Sequence, residues 1–80
     1  MSYYISALLY YIYKKKFEKG LLVAIRTREI CGTDKRCSWY LREVMLYIEG
    51  RGLARRYKRG VYLIERKALD RVIATVRDIK

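Results

Sequence analysis

Apolar residues return along the first quarter of the chain at helical spacing. Ile5, Leu8, Leu9 and Ile12 follow the i, i+3, i+4, i+7 rule, which predicts a helix from Ser2 to Lys19, stopped by Gly20. Tyr3, Tyr10 and Phe17 lie along one flank of that stripe, and Tyr4 and Tyr11 along the other. The short β-branched run Leu21 to Ile25 fits a small strand that pairs with a later hairpin. Thr27 is positioned as an N-cap for a short helix to Cys31, and Gly32 ends it. Thr33 or Asp34 can then cap a longer helix from Lys35 to Glu49. Its inward stripe is Cys37, Leu41, Val44, Met45 and Ile48, and its outer side carries Lys35, Arg36, Trp39, Arg42, Glu43 and Leu46. Gly50 and Gly52 break this helix. Leu53 to Tyr57 and Val61 to Ile64 then predict two strands around the turn Lys58-Arg59-Gly60. A final amphipathic helix, Arg66 to Ile79, presents Leu69, Val72, Ile73, Val76 and Ile79 inward. The fold class expected is α+β, with residues 1–80 forming one small domain.

The first helix is apolar over more than the face a small domain can cover. That excess points to a homodimer contact through Tyr3, Tyr4, Tyr10 and Tyr11; the alternative is tyrosines half-buried at the rim of the core with wetted hydroxyls. Tyr3 to Tyr13 is too short to span a bilayer, which takes about 20 residues, and lacks the features of a signal peptide. An interfacial amphipathic helix is the membrane alternative, and a soluble intracellular protein without membrane attachment is the expectation. The following Lys14, Lys15 and Lys16 oppose the helix macrodipole.

Charge narrows the class of partner. A net charge of +11 and a pI near 10.0 call for a polyanion, either nucleic acid or an anionic surface. With 52% hydrophobic residues the chain has apolar surface enough to fold unaided. Asn, Gln, His and Pro are absent, a bias compatible with selection at high temperature or with chance in a short chain. Without His there is no imidazole base and no His ligand; acidic residues are scattered, and no phosphate-binding glycine loop occurs. The chain is therefore not expected to be an enzyme, and no cofactor, metal or small-molecule ligand is evident. Cys31 and Cys37 alone cannot complete a tetrahedral zinc site. They are placed either for a disulfide or as two buried thiols.

Two cationic groups remain. On the long helix Lys35, Arg36, Ser38, Trp39 and Arg42 occupy the N-terminal half of the outer side, with Arg36 and Arg42 suited to guanine edges and Lys35 to phosphate. Trp39 can meet a thymine methyl or sugar, or fill an apolar seam beside the hairpin. In the hairpin Arg55, Arg56, Tyr57, Lys58 and Arg59 suit phosphate or minor-groove contacts, with Arg55 and Arg56 on opposite sides of the ribbon. The alternative role for these charges is to keep an edge strand from aggregating.

The segments Thr27-Arg28-Glu29-Ile30, Leu41-Arg42-Glu43-Val44, Glu49-Gly50-Arg51-Gly52-Leu53 and Arg59-Gly60-Val61-Tyr62-Leu63 resemble winged helix-turn-helix transcription regulators of archaea. The small, Tyr-rich, Cys-containing format is similar to regulators carried by viruses and plasmids of Sulfolobus-type hyperthermophiles. The resemblance covers about half the chain. It implies a homodimer on double-stranded DNA with the third helix in the major groove, and it departs from the common pattern in a longer third helix and in Trp39. A sequence-specific regulator, most simply a repressor, is the first expectation. An architectural or segregation protein with little sequence preference is the second, and a winged-helix protein-interaction module the third.

Overall fold

Residues 3–79 are described by the computed structural model, and their order is α1 (Tyr3–Lys15), β1 (Leu22–Arg26), α2 (Thr27–Cys31), α3 (Lys35–Gly50), β2 (Arg55–Lys58), β3 (Val61–Glu65), a 3-10 turn (Arg66–Ala68) and α4 (Leu69–Asp78). The fold is α+β. The expected start of α1 at Ser2 lies outside the described residues. The sheet has the order β1-β3-β2 with both pairings antiparallel. Leu22 stands opposite Glu65 and Arg26 opposite Val61, so the strand before α2 is zipped to the far arm of the hairpin as expected.

The core lies between one face of this sheet and the helices. Ile5, Leu8 and Ile12 of α1, Val23 and Ile25 of β1, Leu41, Met45 and Ile48 of α3, Ile64 of β3, and Leu69, Val72 and Val76 of α4 are buried in one cluster. Every residue assigned inward on α3 is buried, and the inward set of α4 is buried up to Val76, with Ile79 half-buried against the cluster. Period-3.6 patterning therefore placed both helices on the core correctly.

Several boundaries differ from the sequence expectation, two of them because a residue far along the chain intervenes. Helix α1 ends at Lys15, not Lys19. Arg66, from the other end of the sheet, donates from Nη1 to the Lys16 carbonyl at 2.8 Å and from Nε to the Gly20 carbonyl at 2.6 Å, and so satisfies acceptors left open beyond the last helical turn. Thr27 does not act as an N-cap. The cap position is Arg26, still paired in the sheet, while buried Thr27 donates from its backbone N (3.0 Å) and its Oγ1 (3.3 Å) to the carbonyl of Gly60. Strand β2 begins at Arg55 instead of Leu53, because Leu53 turns in to donate to the Ile48 carbonyl at 3.2 Å and packs against the core. The strand then runs on to Lys58, with Tyr57 as an irregularity between the pairs Arg56–Tyr62 and Lys58–Val61. The last helix opens with a 3-10 turn and becomes α-helical at Leu69.

Gly60 carries the closest approach in the hairpin. Its φ is +76° and a Cβ there would meet Thr27 Oγ1 at 3.3 Å, whereas Gly52 has nearly the same backbone, φ +77°, with open space around it. Gly52→Ala should therefore cost about 1 kcal/mol, the penalty of the left-handed backbone alone. Gly60→Ala should cost about 2–3 kcal/mol, because the Thr27 contact must also give way. Chemical denaturation of the two variants checks this; equal losses would mean that Thr27 Oγ1 gives way to the added methyl without cost.

Candidate nucleic-acid interface

Helix α3 begins where Asp34 accepts from the Cys37 backbone N–H at 3.1 Å, so one of the expected caps is in place and Lys35 becomes the first helical residue. Burial of Cys37, Leu41, Val44, Met45 and Ile48 then dictates the opposite side. Lys35, Arg36, Trp39 and Arg42 are exposed, and Ser38 is half-buried. Cys31 and Cys37 are joined in a disulfide with their Cα atoms 5.5 Å apart, tying the last residue of α2 to the first turn of α3. The two helices of the turn are thus held by a covalent clasp as well as by packing.

The hairpin presents Arg55, Arg56, Tyr57, Lys58 and Arg59, all exposed. Lys58 Nζ lies 5.9 Å from the centre of the Tyr57 ring. Arg55 and Arg56 stand opposite Leu63 and Tyr62, adjacent positions on β3, and therefore project to opposite faces of the ribbon as alternation requires.

A seam joins helix and hairpin. Glu49 at the end of α3 accepts the Arg56 backbone N–H at 3.0 Å. Burial raises the pKa of the Tyr62 phenol, while Arg56 and Arg42 pull it down and Glu49 pushes it up, so charges from both elements meet around one buried ring. Glu49 was not foreseen as a docking residue. A carboxylate in the last turn of a helix sits at the negative end of the macrodipole and is repelled by it, and that misplacement is the hint in the sequence.

None of Lys35, Arg36, Arg42, Arg55, Arg56, Lys58 and Arg59 makes an ion pair among the described residues; the pairs there use Lys15, Lys16 and Lys67. These cations sit uncompensated on two adjoining elements. Their mutual repulsion is an arrangement that a polyanion relieves. Trp39, 62% exposed, does not fill a seam beside the hairpin. It lines a recess with Tyr4, Lys35, Arg36 and Tyr40, because its position on α3 turns it toward α1.

The tyrosines proposed for a dimer contact divide into two groups. Tyr3 and Tyr10 are 81% and 67% exposed, and Phe17, one heptad further on, is 86% exposed. Tyr4 and Tyr11 are half-buried and engaged within the chain. Tyr4 packs against Tyr40 with ring centres 5.5 Å apart. The Tyr11 hydroxyl donates to Glu29 and accepts from the Arg26 backbone N–H at 3.3 Å; burial, followed by the Glu29 bond, raises its pKa. No helix among the described residues is long and apolar enough to cross a membrane.

Comparison of the chain with protein-family models, with curated proteins and with solved structures finds no match in any of the three. The geometry of the site has to carry the functional reading.

The clasp between α2 and α3 has a measurable consequence. Closing a loop with a sequence separation of 6 restricts the unfolded chain by about 2 kcal/mol. Equilibrium denaturation with and without reductant should differ by that amount, and identical curves would show that the disulfide contributes nothing to stability.

Proposed function

We propose that the protein is a sequence-specific double-stranded DNA-binding regulator of the winged helix-turn-helix class, acting as a homodimer and most simply as a repressor. The observation that carries this reading is the set of cations without an ion pair among the described residues on α3 and the hairpin, two elements joined where Glu49 accepts the Arg56 backbone N–H. In this reading α3 enters the major groove with Arg36 and Arg42 on base edges and Lys35 on phosphate, Ser38 and Trp39 flanking them. The hairpin serves as the wing. Arg59, Lys58 and one of the Arg55–Arg56 pair neutralise backbone phosphates, and Tyr57 adds a hydroxyl there.

The proposed dimer contact is the outer stripe of α1. Tyr3 and Tyr10 stand one heptad apart on that face, and Phe17 follows in the turn after the helix; all three are largely exposed. Three such aromatics offer on the order of 500 Å² of surface. That is more than half of the roughly 800 Å² per partner in a standard interface. Pairing two copies would set two recognition helices about one DNA turn apart and make the operator palindromic.

Competition binding tests the central reading: a regulator should prefer its selected operator over random duplex by at least about a thousandfold, and an architectural protein should show no such preference. Arg42→Ala should weaken operator binding by about 1–3 kcal/mol and relax preference at one base position. Arg59→Ala should weaken all duplexes alike and reduce the salt dependence by about one phosphate contact. An Arg42→Ala protein with unchanged affinity and preference would remove that side chain from base reading. Sedimentation at micromolar concentration should show a dimer that Tyr10→Glu dissociates; a single species at 9.6 kDa for the parent would overturn the dimer.

A further inference from the structure

The recess on the side of α3 that meets α1 takes Lys35, Arg36 and Trp39 from the proposed duplex surface and adds Tyr4 and Tyr40, which have no role in the reading above. It is a shallow hollow of about 370 Å³, lined by Tyr4, Lys35, Arg36, Trp39 and Tyr40. Tyr4 and Tyr40 form its wall, their rings tilted 44° to one another. Trp39 stands at its edge as a largely exposed indole. A helix turns about 100° per residue, so Arg36 and Tyr40 fall on the flank of α3 opposite Glu49 and the hairpin seam. The recess therefore shares the N-terminal edge of the proposed duplex surface and reaches away from the Glu49 seam.

Its chemistry is that of a stacking platform. The walls are aromatic rings and the aliphatic stems of Lys35 and Arg36, whose charged heads make no ion pair among the described residues. No carboxylate lines it. An apolar peptide would satisfy the rings and leave both cations unmatched, whereas a second copy of this chain would bring further positive charge to them. One unpaired nucleotide satisfies both parts, with a flat π-face for the indole and a phosphate for the cations.

We infer that this recess binds an unpaired nucleobase of single-stranded DNA, stacked on Trp39 with its phosphate against Lys35 and Arg36. The inference rests on the reading that the partner is DNA, and it extends that reading to a strand that has left the duplex. Because Lys35, Arg36 and Trp39 belong to both surfaces, the duplex and the unpaired strand compete for the N-terminal end of α3, while Arg42 and the hairpin serve the duplex alone.

Trp39 is the chain's only tryptophan, so its fluorescence reports this site directly. The test titrates the intact protein with oligothymidylate, which does not self-pair, and separately with a duplex of equal length. Binding is followed by Trp39 emission and by anisotropy of a labelled strand. Oligothymidylate should quench Trp39. Trp39→Ala should weaken oligothymidylate binding about ten- to hundredfold, and Trp39→Phe, which keeps a ring, should restore most of it. Circular dichroism confirms that each variant is folded. A parent protein that binds duplex while oligothymidylate neither binds nor quenches overturns the recess and leaves the regulator reading intact. Trp39→Ala binding oligothymidylate as tightly as the parent also overturns it. Quenching by oligothymidylate without duplex binding supports the recess and removes the regulator, and loss of both removes both.

Discussion

The pairing of β1 with β3 is the constraint on which the rest of the structure depends. These strands flank the segment that contains α2, α3 and the first arm of the hairpin, so zipping Leu22–Arg26 to Val61–Glu65 fixes both ends of that segment at once. The Thr27 donors to the Gly60 carbonyl extend the same ladder by one step and hold the hairpin turn against the start of α2. Within the closed segment, the disulfide, the Asp34 cap and the Glu49 contact leave α3 little freedom to rotate. Its buried stripe faces the core, and its cations have only solvent to face.

Stability and charge are consequently handled by different surfaces. The apolar cluster of α1, α3, α4 and the sheet supplies the cohesion. The ion pairs Lys15–Glu18, Lys16–Asp70 and Lys67–Glu65 lie at exposed positions and contribute little each. Carboxylates near the hairpin serve other ends: Glu49 docks the backbone of Arg56, and Asp34 caps a helix. The cations on α3 and the hairpin are thus left without an ion pair among the described residues, and long-range attraction to a polyanion would follow from their clustering.

Much of this was legible in the chain because it depends on local periodicity. The bounds of α3 came out within one residue, since Gly32, Asp34 and Gly50 are local signals and its five-residue apolar stripe is regular. The exposure of the basic residues followed from the same stripe. What could not be read depends on partners far along the chain. Helix α1 stops early because Arg66, some fifty residues later, takes its trailing carbonyls. Thr27 leaves the cap position because Gly60 offers it a better acceptor. Trp39 was left between two roles, and only the fold places it in the recess with Tyr4 instead of beside the hairpin. Tyr4 and Tyr11 are half-buried, and their contacts with Tyr40 and Glu29 tie α1 to α3 and α2.

In the proposed function α3 and the hairpin act together as one duplex-binding surface. Amide-resolved NMR titration with a DNA duplex at moderate salt tests it most directly. Shifts should concentrate at residues 35–42 and 55–60, with α4 and the outer face of β1 unmoved. Shifts centred on α4, or none at any DNA concentration, would contradict it.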